Sequence, residues 1–145
     1  VHELSSHREV HSKILHEVIT ATDEALKEKQ LVSLLQKESY EKAIVFTNTI
    51  VEAARLNGRV RNFGIRAGVL HGDLTQEQRK HIVNLLKNGT LKILIATDVA
   101  ARGLHIDKVT HVINYEVPET YDDYVHRIGR TGRGTQIGKA LTFVE

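Results

Sequence analysis

Two rhythms alternate along this chain. Short apolar runs rich in β-branched residues suit strands, and stretches whose apolar residues return every three or four positions suit helices. Val18-Ile19-Thr20-Ala21 is the first candidate strand. Glu24 to Glu38 reads as a helix through Leu26, Leu31, Leu34 and Leu35, with Asp23 placed to cap it. Ala43 to Phe46 is apolar throughout, the mark of a strand buried on both faces. Ile50 to Asn62 reads as a helix ended by Phe63-Gly64, and Arg66 to Leu70 as a strand. Thr75 with Gln78 three residues on predicts a capping box, and the helix it opens runs to about Lys87, where Asn88-Gly89 stops it. Lys92 to Ala96 and His111 to Tyr115 are further strands, Tyr121 to Ile128 a short helix, and Ala140 to Val144 a closing strand. Residues 1–15 show no clear period and read as an arm or linker, leaving 16–145 as one domain.

Repeated strand–helix–strand units predict an α/β fold with a mostly parallel sheet and helices on both faces. Ligands of such folds gather at the carboxyl ends of the strands. Polar segments stand at three predicted strand ends: Thr47-Asn48-Thr49, His71-Gly72-Asp73 and Thr97-Asp98. They are expected to converge on one edge.

Composition narrows the class only a little. The 145 residues are 41% apolar and 26% charged, ordinary values for one domain with a real core. A net charge of +2 is too mild to imply nucleic-acid binding, so any basic surface must be local. There is no cysteine, hence no disulfide framework and no Cys-based zinc site, which fits a reducing, cytoplasmic setting. No apolar run is long enough to span a membrane and no signal-peptide pattern is present. The absence of any methionine is expected of an excised fragment. His7 and His11, four apart, lack the partners of a metal site and read as solvated arm residues; no metal is expected.

The most informative stretch is His126-Arg127-Ile128-Gly129-Arg130-Thr131-Gly132-Arg133. Glycine lets backbone approach a ligand, and arginine offers a planar, permanently charged fork that matches phosphate oxygens. Alone, it would read equally well as a solvated Gly/Arg turn. It follows, in order, AIVFTNT at 43–49, HGDLTQEQR at 71–79 and ATDVAARGLHID at 96–107. This series resembles the second, C-terminal RecA-like domain of DEAD-box RNA helicases over about residues 18–144. The wording HRIGRTGR points to the DEAD-box branch, since DEAH-type relatives usually carry glutamine where His126 stands.

The resemblance implies a RecA-like, P-loop NTPase-type three-layer sandwich and a role for each motif residue. Arg130 and Arg133 match the arginines that reach across a cleft to the ATP γ-phosphate. His126 matches a residue that couples nucleotide cleft to RNA face, with a structural histidine as the alternative. Asp98 and Arg102 match the DxxxR of the family's fifth motif, an ion-pair lattice or simple fold support. Arg127 is structural or paired with a carboxylate of that motif. Thr49, Gly72, Arg79 and Thr97 match positions that hold the RNA sugar-phosphate backbone, chemistry that suits hydroxyls, backbone amides and one arginine. Gln76 completes a QxxR pattern with Arg79, or is a solvated helix residue.

One position departs from the pattern. The family usually reads GLD where this chain reads Gly103-Leu104-His105, and the usual aspartate bonds the ATP ribose. His105 offers one hydrogen bond but no carboxylate, which implies weaker or pH-sensitive nucleotide binding. The chain contains neither a GxxxxGK(S/T) phosphate loop nor a DEAD segment to hold Mg²⁺. The expectation is therefore half an active site. An N-terminal RecA-like domain in cis would bind most of the ATP and Mg²⁺, and this chain alone, a monomer, would be inactive. A non-catalytic RNA- or protein-binding module from a degenerate helicase is the alternative, and a DNA-directed relative a third reading.

Overall fold

The computed structural model describes residues 14–37, 39–129 and 138–145. Among these residues six strands form one sheet: β1 (Ile14–Thr20), β2 (Lys42–Thr47), β3 (Ala67–Leu70), β4 (Ile93–Thr97), β5 (Val109–Asn114) and β6 (Gly138–Val144). Their order is β1-β6-β5-β2-β4-β3, and every pairing is parallel. Among the described residues five helices connect them: α1 (Glu24–Lys37), α2 (Ile50–Asn62), α3 (Gln76–Lys87), α4 (Asp98–Ala101) and α5 (Tyr121–Ile128).

Side chains alternate across a strand, so each central strand feeds two cores. Ala43, Val45, Ile93, Ile95, Ile113 and Leu141 pack with Leu31 and Leu35 of α1 and with Leu56 and Val60 of α2. On the other face Ile44, Phe46, Leu94 and Val112 meet Leu86 of α3 and Ala100 and Ala101 of α4. Ile128 of α5 joins Ile14 and Ala140 on that second face. The result is the expected three-layer sandwich, with a sheet that is parallel throughout.

Local chemistry sets the helix starts. Asp23 Oδ1 accepts from the Leu26 amide at 2.8 Å, and Thr49 Oγ1 from the Glu52 amide at 3.1 Å. Thr75 and Gln78 exchange the two bonds of a capping box. Past the carboxyl ends of α2 and α3, Gly64 and Gly89 take φ of 81° and 83°, where a side chain would be strained.

Several boundaries differ from the sequence reading. Strand β1 begins at Ile14, so Ile14 and Leu15 of the presumed arm belong to the sheet; residues 1–13 lie outside the described residues. The strand was read too short because it lies at the sheet edge and is exposed along most of its length, so it needs no apolar run. Strands β5 and β6 each open two residues early, at Val109 and Gly138. The one-turn helix α4 is too short to show a period.

Connectivity places the site. Strand β2 continues into α2 on the first face, while its neighbours β4 and β5 continue into α4 and α5 on the second. Both crevices beside the carboxyl end of β2 are therefore switch points, where open parallel sheets bind ligands.

Candidate functional site

The centre of this edge is Arg127, a fully buried side chain on the last turn of α5. Thr120 caps the start of α5 by accepting from the Asp123 amide at 3.0 Å, and Ile128 anchors its end in the core. Arg127 Nε donates to Asp98 Oδ1 at 2.6 Å and Nη2 to Asp98 Oδ2 at 2.8 Å, a two-pronged ion pair. Nη2 also donates to Asn48 Oδ1 at 2.7 Å, and Nη1 to the Glu116 carbonyl at 2.8 Å and Asn114 Oδ1 at 3.3 Å. The guanidinium carbon lies 5.1 Å from the centre of the Phe46 ring, within cation–π range. Burying a charge is costly unless its donors are satisfied, and here the partners come from the ends of β2, β4 and β5.

Asn48 adds further ties. Its backbone N–H donates to Glu116 Oε1 at 2.7 Å and its side-chain amide to the Val117 carbonyl at 3.0 Å. Three loops and α5 are thereby fixed to one another. A cleft of about 560 Å³ opens beside Asn48 and Glu116, with Asp23, Glu24 and Lys27 on its far wall. Tyr115 donates from its hydroxyl to Glu24 Oε1 at 3.0 Å, and Lys27 Nζ stands 4.2 Å over its ring centre. Burial, aided by the Glu24 carboxylate, pushes the Tyr115 hydroxyl well above its ordinary pKa.

The sequence-predicted residues fall around this centre. Asp98 pairs with Arg127, while Arg102, four residues on, is exposed and reaches Asp123 at 3.1 Å. His126 is exposed, with Nδ1 3.7 Å from Asp122 Oδ2. Thr97 is buried beside its register partner Thr47; it precedes α4 but makes no side-chain cap bond. Thr49 is exposed and caps α2. On the next strand end, His71 Nδ1 accepts from the Asp73 amide at 3.2 Å, shaping the turn that carries Gly72. A Cβ on Gly72 would meet nothing within 4 Å among the described residues. Gln76 is the exposed first residue of α3, and Arg79 stands half-buried one turn later.

His105 is exposed and lies apart from the Arg127 cluster. It lines a small cleft of about 140 Å³ with Ile44, Ala101 and Val109 among its neighbours, and none of the Arg127 partners borders it. Arg130 and Arg133 lie outside the described residues, as do His7 and His11. Gly129 caps α5 and is followed directly by Arg130.

Asn48, Asn114 and Glu116 were not singled out from sequence as partners of Arg127. Asn48 sits within a strand-end segment already marked as polar. The bond to the Glu116 carbonyl has no sequence signal, because every residue carries that group.

Comparison with known proteins places this geometry. The family model for the helicase conserved C-terminal domain matches residues 26–135. An ATP-dependent RNA helicase RhlB of Psychromonas ingrahamii is 48% identical over 113 residues, 78% of this chain and 27% of the relative. RhlB of Shewanella baltica strain OS155 is 45% identical over 132 residues, 91% of this chain and 30% of the relative. The chain thus spans between a quarter and a third of the curated relatives it matches. Among solved structures, the E. coli DEAD-box protein SrmB, bound to regulator of ribonuclease activity A, superposes with a TM-score of 0.85 at 37% identity, over 90% of this chain and 78% of that one. S. cerevisiae Dbp5 bound to RNA and ADP BeF3 also superposes with a TM-score of 0.85, at 34% identity, over 92% of this chain and 36% of that one.

Proposed function

Since this chain belongs to the helicase conserved C-terminal domain family, in its DEAD-box RNA helicase branch, we propose that it is the second half of an ATP-driven RNA-unwinding site. An N-terminal RecA-like domain in cis supplies the phosphate loop and the ligands for Mg²⁺. The carboxylates of the cluster in this chain suit that division of labour, because Asp98 and Asp123 already face arginines. This chain contributes Arg130 and Arg133, whose guanidinium groups stabilise the charge that develops on the transferred phosphoryl oxygens.

The observation that carries the reading is the buried Arg127 cluster. It joins the loops after β2, β4 and β5 to α5, and Arg130 follows α5 after one residue. A force or displacement at Arg130 therefore reaches Thr49 and Thr97 through a few short, charge-assisted bonds. Thr49, Gly72, Arg79 and Thr97 hold the RNA backbone, with Gln76 beside them. Support for Gly72 is that no packing among the described residues calls for glycine there, whereas a phosphate lying against its backbone would. His126 and Arg102 transmit between the two sites.

Replacing Arg130 or Arg133 by Ala in the two-domain protein is expected to lower ATP turnover by at least about 10²-fold. Turnover at the level of the unmodified protein would remove the finger assignment. His105 favours a second reading, a non-catalytic RNA- or protein-binding module, because a ribose-bonding carboxylate is missing. If that contact limits nucleotide binding, His105→Asp tightens ATP in the two-domain protein.

A further inference from the structure

At the amino edge of the sheet, opposite the motif residues, four lysines converge on one cleft of about 520 Å³: Lys42, Lys87, Lys92 and Lys108. They come from separate segments: Lys42 opens β2, Lys87 closes α3, and Lys92 and Lys108 directly precede β4 and β5. Glu41 and Asp107 share the cleft, which is left with a net positive charge. None of the four lysines has an ion-pair partner among the described residues. Lys42 is largely buried yet borders the cleft, and four like charges on one cleft focus positive potential there.

The backbone gives an independent indication. Lys108 has a φ of 67°, the one positive value outside glycine among the described residues. Glycine or asparagine takes that conformation more easily than lysine. The turn geometry thus does not select the lysine.

We infer that this cleft binds a run of nucleic-acid phosphates, giving the domain a second RNA contact beyond the strand held at the carboxyl edge. That the polyanion is RNA rests on the proposed function. Lysine supplies point charges that position a phosphate backbone without reading bases. An acidic protein segment fits less well, since stable peptide docking needs an apolar or aromatic anchor. The one aromatic side chain of the lining, Tyr40, has its hydroxyl committed to the Leu35 carbonyl at 2.9 Å. The six residues of β2 separate the two edges by about 16 Å, so only RNA longer than the gripped segment reaches both.

The test is RNA binding by the whole 145-residue chain across a salt titration, read by fluorescence anisotropy. Two unstructured oligouridylates serve as probes, one of about 6 and one of about 20 nucleotides. The variant combines Lys87→Gln, Lys92→Gln and Lys108→Asn, all at exposed positions, and Asn suits the backbone at 108. It is expected to bind the long probe about 10-fold more weakly at low salt, with a log–log salt slope shallower by about 2, and the short probe unchanged. Lys29→Gln with Arg61→Gln removes exposed charge elsewhere and is expected to leave that slope unaltered. An unchanged slope for the triple lysine variant on long RNA overturns the inference. A companion variant, Arg79→Gln with Thr97→Val, separates the two readings. If it alone weakens binding, the carboxyl-edge grip stands and the cleft falls; if the lysines alone matter, the cleft stands and the grip fails. Lysine-dependent binding of oligoglutamate without RNA binding overturns RNA as the occupant.

Discussion

Arg127 and Arg102 show how two neighbouring ion pairs have different consequences. Arg127 is wholly buried, and its pair with Asp98 is geometrically bidentate. Removing one partner of such a pair leaves a charge in low dielectric, so Asp98→Ala is expected to destabilise the fold by about 3 kcal/mol, measurable by urea denaturation. A loss below about 1 kcal/mol would mean that water reaches Arg127 freely. Arg102 and Asp123 are exposed and partly exposed, and their pair contributes no more than about 1 kcal/mol. Arg102→Ala is therefore expected to leave urea stability nearly unchanged while lowering RNA-stimulated turnover in the two-domain protein. Matched losses in both would make Arg102 a structural residue only. The sequence offered the carboxylate of the fifth motif as a partner for Arg127, and Asp98 is that partner. It did not offer Asn48, 79 positions from Arg127, or the Glu116 carbonyl, because contacts across such separations depend on strand order rather than on local pattern.

At the scale of elements, α1 and α2 are clamped across the first face by charge. Arg55 of α2 donates to Glu24 at 2.6 Å and to Glu28, and Arg59 donates to Glu28 at 2.9 Å. Burial alone would raise the Glu28 carboxyl, but hydrogen bonds and charge from Arg55 and Arg59 outweigh it and hold the pKa below the ordinary carboxylate value of 4.5. A depressed folded-state pKa contributes stability above the unfolded value, and that stability is lost as pH falls through the folded value. Urea stability of the unmodified chain should thus drop more steeply below about pH 4.5 than that of Glu28→Gln. Parallel slopes would mean that the clamp is not linked to protonation. Elements with a full helical period or a cap were legible: α2 and α5 begin and end where the pattern puts them, and the capping box at Thr75 is present. Elements lacking those signals were not. The edge strand β1 alternates little because it covers little, and α4 is four residues long.

For the whole molecule, the fold suits the proposed half-site. The switch points beside β2 gather polar strand ends on one edge, and the Arg127 cluster binds them into a unit with α5. Nothing in that unit supplies a phosphate loop, and the chain spans 27% of the RhlB relative from Psychromonas ingrahamii. In the proposed function, Arg130 and Arg133 complete a site whose other half lies on a preceding domain. The most direct measurement is the ATPase rate, with and without RNA, of this chain alone and of the same chain joined to an N-terminal RecA-like domain. No turnover is expected from the chain alone, and RNA-stimulated turnover from the joined protein, falling at least about 10²-fold on Arg130→Ala. Turnover by the isolated chain, or an Arg130→Ala protein as fast as its parent, would contradict the proposed function.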